Sequence, residues 1–248
     1  MTQRGRPDVR VHPTLEVLSE AAAESVVALV EAALQEGDRF TIALSGGNTP
    51  RILYQRLAGK YRALIPWRQV QAFWGDERYV SPEDPRSNYR MARETLLDHV
   101  PIPRENVHPI PTLLPQAEDS AEAYEQELMS HFPGQWPRFD LVLLGMGPDG
   151  HVASLFPYNS ALEEEARVVT AVHAEHADPP ARLTLTLPAI NHAKNIYFLV
   201  TGKEKTAALE RAFAENPDPK AAPASAVRPV EGEVVWWVDE AAVSQLRG

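Results

Sequence analysis

The chain alternates between short apolar runs and longer segments whose apolar residues recur every three or four positions, and that alternation predicts its elements. From Thr14 to Gln35, Val26, Leu29, Val30, Ala33 and Leu34 return at helical spacing before Gly37, which predicts a long amphipathic helix. Phe40 to Leu44 is a short apolar run that breaks at Ser45-Gly46-Gly47, and helical periodicity resumes from Pro50 to Leu57. The unit is strand, glycine turn, helix. Val70 to Trp74 predicts a strand ending in Gly75-Asp76-Glu77-Arg78, and Asn88 to Val100 a further helix. Pro101 to Pro115 carries five prolines and no periodicity, so a connecting loop is expected before a polar helix from about Ser120 to His131. Leu141 to Leu144 is a fully apolar strand running into Gly145-Met146-Gly147-Pro148-Asp149-Gly150-His151. Later runs at Val168 to Val172, Arg182 to Leu187, Ile196 to Val200 and Val234 to Val238 predict strands, and Glu204 to Ala214 a helix.

Strands that alternate with helices in this way predict a three-layer α/β fold: a mostly parallel, Rossmann-like sheet with helices on both faces and right-handed crossovers. Residues 1–248 are expected to form a single domain of this kind. In such sheets a ligand lies beyond the carboxyl ends of the strands. Four stretches become candidates on that rule: Ser45 to Pro50, Asp76-Glu77-Arg78, Asp149-Gly150-His151, and Thr201 to Lys205.

Composition narrows the chemistry. With 24 Lys+Arg against 34 Asp+Glu the net charge is −10, which argues against a nucleic-acid or anionic-membrane partner. No cysteine is present, so disulfides, thiolate metal sites and cysteine nucleophiles are excluded. No apolar segment approaches the ~20 residues of a membrane helix. Met1 to His12 is polar, with Arg4, Arg6 and Arg10 but no apolar run after them, so no leader is expected and the cytoplasm is the expected location.

In the first candidate stretch, Gly46 and Gly47 let a ligand approach the backbone, Thr49 suits an N-cap and Pro50 the first helical position. Converging amides at a helix start favour an anion such as phosphate. A plain strand-to-helix turn is the other reading. Gly145, Gly147 and Gly150 match G-x-G-x-x-G, but Pro148 removes an amide and no acidic residue follows at the dinucleotide spacing. His151, with Asp149 two residues before it, has the makings of a general acid/base whose ring a carboxylate orients; a surface histidine beside a turn aspartate fits equally. Asp76, Glu77 and Arg78 read either as an oxyanion-binding strand end or as a solvated rim. Lys203 and Lys205 oppose the dipole of the helix they open, a conflict that an anionic ligand removes. His173, Glu175, His176 and Asp178 offer metal-like donors, but they precede Pro179-Pro180 in an expected exposed loop, and no metal is expected. Ser45 lacks the surroundings of a nucleophile elbow.

Taken together, Ser45-Gly46-Gly47-Asn48-Thr49-Pro50, Phe73 to Arg78 with Ser87-Asn88, Gly145 to Pro157, Arg182 to Thr186, and Thr201 to Lys205 resemble the 6-phosphogluconolactonase family, related in fold to glucosamine-6-phosphate deaminases. Asn48 and Val152 stand where the family leads one to expect Ser/Thr and Thr. The deaminases use a Glu a few residues after the histidine, and that position here is Phe156. The resemblance therefore implies hydrolysis of 6-phosphoglucono-1,5-lactone to 6-phosphogluconate in the oxidative pentose phosphate pathway, without metal or organic cofactor. A deaminase-like activity, or sugar-phosphate binding without turnover, is the alternative. It further implies a phosphate on Ser45, Gly46, Gly47, Asn48, Thr49, Arg182 and Lys205. His151 would act as base and then acid, oriented by Asp149 with Asp76 in support, and Arg78 would stabilise the carbonyl oxygen. The only partner expected is this small lactone; no oligomeric state follows.

Overall fold

In a computed structural model, which describes residues 7–244, the runs without a polar face become the middle of a six-stranded sheet. Arg4 and Arg6 lie outside the described residues. The strands are β1 (Asp8–His12), β2 (Phe40–Leu44), β3 (Val70–Trp74), β4 (Asp76–Arg78), β5 (Leu141–Leu144), β6 (Val169–His173), β7 (Ala181–Leu185), β8 (Asn195–Val200) and β9 (Glu233–Asp239). Six of them form one sheet in the order β1-β9-β8-β5-β2-β3, with every neighbouring pair parallel. Every residue of β2 and β5 is buried, because an inner strand of a covered parallel sheet has no wet face. The three-layer α/β arrangement is thus the one the run pattern predicts.

Three strands stand apart, a separation that the run pattern does not reveal. Asp76–Arg78 is itself a strand and pairs antiparallel with β7, which pairs antiparallel with β6. Its register sets Asp76 opposite Thr184 and Arg78 opposite Arg182. β1 was also not expected. Asp8, Arg10 and His12 hide its strand character, and only the edge of β9 supplies its hydrogen-bonding partner.

The helices are α1 (Leu15–Glu36), α2 (Asn48–Ala58), α3 (Asn88–Thr95), α4 (Ala117–His131), α5 (Leu187–Asn191) and α6 (Thr206–Phe213). Thr14 caps α1 by accepting from the Val17 amide. The helix expected to reach Val100 stops at Thr95 and continues as a 3-10 turn over Leu97–His99. Pro101 forces Val100 into extended backbone, which shortens the room for helix. The strand expected over residues 182–187 ends at Leu185, where Thr186 caps the short α5 that carries Pro188 in its first turn. Trp74, Trp236 and Trp237 are all core residues, and Trp236 stacks on Phe198 at 3.7 Å and 2°. Because the six strands run one way, the segments after β2, β3, β5 and β8 open at one end of the sheet.

Candidate functional site

Those four segments line one cleft of about 230 Å³. Ser45, Gly46, Gly47, Asn48, Thr49, Asp76, Arg78, His151, Arg182 and Lys205 all border it; Asp149 sits behind His151.

The glycine segment is a helix N-terminus with its donors left open. Gly47 is the N-cap of α2, at φ +104°, a conformation that side chains other than glycine rarely adopt. Thr49 is not the cap that the sequence suggests. It lies inside the first turn, and its hydroxyl meets that of Thr201 at 2.8 Å, joining the segments after β2 and β8. Ser45 is spent differently from expectation. Its amide donates to the buried Tyr54 hydroxyl at 2.9 Å, and that hydroxyl donates back to the Ser45 carbonyl at 2.8 Å. Among the described residues, the amides of Gly46, Gly47, Asn48 and Thr49 find no protein acceptor. They are the orphan donors of the helix start, and the dipole favours an anion there. Gly46 has no room for a side chain, since a Cβ would fall 1.9 Å from Oδ1 of Asn88.

β4 is buried rather than a solvated rim. Glu77 faces away from the cleft chemistry and accepts from the amides of Arg78, Asn88 and Tyr89 and from the Ser87 hydroxyl, at 2.7 to 3.0 Å. Burial pushes its carboxyl upward, against these donors. Asp76 receives the Ser154 hydroxyl at 2.7 Å and Nδ2 of Asn88 at 3.2 Å. Arg78 and Arg182 are cross-strand partners, an arrangement of like charges that is unfavourable without an anion. Arg182 is buried and anchored by Nε to the Pro179 carbonyl at 2.7 Å and by Nη2 to that of Asp178 at 3.1 Å. Burial, and then Arg78, lower its pKa. Among the described residues neither arginine, nor Lys205, forms an ion pair. Lys205 is half-buried at the end of a 3-10 turn before α6, and burial lowers its pKa against the pull of Glu204 and Asp149.

After β5 the chain folds tightly on itself. The Gly147 amide donates to the His151 carbonyl at 2.9 Å, and Gly150 adopts φ +94°. A Cβ on Gly147 would meet Nδ1 of His151 at 2.1 Å, so only glycine lets the ring lie there. Nδ1 of His151 donates to Oδ1 of Asp149 at 2.7 Å, and the same oxygen accepts the His151 amide at 3.1 Å. Burial opposes charge on Asp149, but the hydrogen bond and charge of His151 prevail and bring its pKa down to about 2. With Nδ1 engaged, Nε2 finds no protein partner among the described residues and borders the cleft. Phe156 packs on the ring at 4.6 Å.

Three contacts were not singled out from the sequence. Asn88 and Ser154 fix Asp76, and Thr201 fixes Thr49. Ser87-Asn88, Gly145 to Pro157 and Thr201 to Lys205 were the stretches that signalled them, without showing the contacts. Val152 is fully buried, so the residue at that position packs in the core and its side chain does not reach the cleft. His173, Glu175, His176 and Asp178 are exposed, and Asp178 pairs with Arg86 at 2.9 Å.

A cleft at the carboxyl end of a parallel sheet, with open amides, unpaired cations and a carboxylate-held imidazole, marks an α/β protein for small anionic ligands. Residues 13–236 match the family of glucosamine-6-phosphate isomerases/6-phosphogluconolactonase, and the chain belongs to that family. It is 45% identical over 244 residues to a 6-phosphogluconolactonase of Synechocystis sp., covering 97% of this chain and 99% of that one. A 6-phosphogluconolactonase of Nostoc sp. is 43% identical over 241 residues, covering 96% and 98%. Among solved structures, 6-phosphogluconolactonase from Trypanosoma cruzi superposes with a TM-score of 0.88 at 32% identity, covering 100% of this chain and 99% of that one.

Proposed function

We propose that the chain hydrolyses 6-phosphoglucono-1,5-lactone to 6-phosphogluconate in the oxidative pentose phosphate pathway. The observation that carries this reading is His151 with Nδ1 held by Asp149 and Nε2 open, in the same cleft as an unpaired set of cations and amides. Family membership and the two bacterial relatives support it. The phosphate rests on the amides of Gly46, Gly47, Asn48 and Thr49, with Arg182 and Lys205 beside it. Ser45 shapes the turn through Tyr54 rather than binding with its amide.

In the reaction, Nε2 of His151 takes a proton from water as its oxygen attacks the lactone carbonyl carbon. Asp149 stabilises the imidazolium that results. Negative charge collects on the carbonyl oxygen, and Arg78 faces it; losing one such donor in a hydrolase costs about 3 kcal/mol of transition-state stabilisation. The carbon–ring-oxygen bond then breaks, and His151 returns its proton to the leaving oxygen. The product acid releases a proton to solvent. Asp76, fixed by Ser154 and Asn88, supports the site from below.

Phe156 favours this reading over deamination, since an apolar ring occupies the place of the deaminase carboxylate and packs on His151. Among the described residues no helix is long and apolar enough to cross a membrane, and we place the reaction in the cytoplasm. Feeding freshly generated lactone to the protein and following acid release above the spontaneous rate tests the proposal. Acid release at the spontaneous rate refutes it in favour of binding without turnover, and ammonia from glucosamine 6-phosphate would favour the deaminase.

A further inference from the structure

A second imidazole–carboxylate group lies at the other end of the sheet, where the proline-rich loop meets the last turns of α4. His108 is buried, with its ring stacked on Phe73 at 4.5 Å and 16°. Its Nε2 lies 2.8 Å from Oε1 of Gln71, near the start of β3, and its Nδ1 lies 2.8 Å from Oε1 of Glu127. The same Glu127 oxygen is 3.3 Å from Nε2 of His131, and the two imidazole centroids are 4.2 Å apart. A neutral imidazole has one N–H and one lone pair. With the proton on Nε2, donated to the Gln71 oxygen, the Nδ1 lone pair faces Glu127 and is free to take a cation.

We propose that Nδ1 of His108, a carboxylate oxygen of Glu127 and Nε2 of His131 bind a zinc ion, with solvent water completing the shell. The three ligand atoms lie within 4.8 Å of one another. Ligand atoms around a tetrahedral zinc, at bonds of ~2.0–2.1 Å, stand about 3.3 Å apart, so the most separated pair must close by at most about 1.5 Å. Two imidazoles and a carboxylate are a zinc donor set. Gln71 supplies the acceptor that fixes the far nitrogen of a metal-bound imidazole. Glu127 is exposed and His131 partly so, which gives the ion a path from solvent. The site is structural: it ties the loop over residues 101–115 to α4, and none of its residues borders the catalytic cleft.

Tag-free full-length protein, stripped with a chelator, is titrated with Zn²⁺ and with Co²⁺ as a spectroscopic probe. One equivalent is expected to bind, Co²⁺ giving the visible d–d bands of a four- or five-coordinate ion, and Zn²⁺ raising the thermal midpoint. His131→Ala should remove the bands and the midpoint shift, and Gln71→Leu should weaken binding about 10–100-fold. Because His108 is core-packed and His108→Ala risks misfolding, the partly exposed His131 and Glu127→Gln carry the test. A midpoint shift equal in wild type and His131→Ala overturns the proposal, as does binding lost in His176→Ala but kept in His131→Ala.

Discussion

His151 and His108 both set Nδ1 against a carboxylate at nearly the same distance, 2.7 Å to Asp149 and 2.8 Å to Glu127, yet they occupy opposite ends of the sheet and opposite chemical situations. The other nitrogen makes the difference. In His151 it has no partner among the described residues and borders the cleft, whereas in His108 it is already bonded to Gln71. The same division runs through the rest of the molecule. Glu77 spends its carboxylate on four protein donors, while Lys205, Arg78 and the amides of residues 46–49 leave charge or donors unspent. A polar group that faces the cleft without a protein partner is available to a ligand. One whose bonds are complete serves the fold.

The largest effect that this comparison forecasts is at His151. His151→Ala should lower kcat by about 10²–10⁴-fold with little change in KM, read from acid release on fresh lactone. Unchanged turnover would erase the distinction between the two histidines. Next is Glu77→Ala, which strands buried donors and should cost about 3 kcal/mol in urea unfolding, with a larger effect on stability than on turnover. A wild-type urea midpoint would show that those bonds do not hold the start of α3. Smaller again, Lys205→Ala should raise KM for the phosphorylated lactone by about 10-fold or more and spare the unphosphorylated one. Equal loss with both lactones would move the phosphate elsewhere.

The smallest effect concerns pH. The Asp149 pKa is depressed from 3.8 to about 2, so protonation favours the unfolded chain. The pair's contribution is fully present above about pH 4 and is lost as pH falls toward about 2. Wild type should therefore lose more stability than Asp149→Asn across that window, measured by urea midpoints. Parallel curves would mean that the ion pair adds nothing to the fold. Burial also depresses His108, so neutral His108 favours folding above its ordinary value of 6.5 and that contribution fades as pH drops below it.

Much of this was legible in the chain itself. Short apolar runs such as Phe40 to Leu44 and Leu141 to Leu144 fit inner strands, which are buried on both faces and so have no wet side. Gly46 and Gly47 after such a strand mark a tight turn into a helix, and Asp149 two residues before His151 is close enough for a local hydrogen bond. The −10 net charge argues against a nucleic-acid or membrane partner but not a small anion, and acids such as Glu118, Asp119, Glu122 and Glu125 gather on α4, away from the cations of the cleft.

What the sequence determined by itself was whatever depends on neighbours along the chain: the strand–turn–helix units, the parallel sheet they imply, and the nearness of Asp149 to His151. Tertiary structure alone decided that Asp76 to Arg78 pairs antiparallel with β7, which sets Arg78 against Arg182. It alone brought Ser154 to Asp76 across 78 residues, and His108 to Gln71 and Glu127. Hydrophobic periodicity reports which face of an element is buried, but not which distant polar group will lie against it. A donor finds its acceptor through packing of whole elements, and that is fixed only when the core closes.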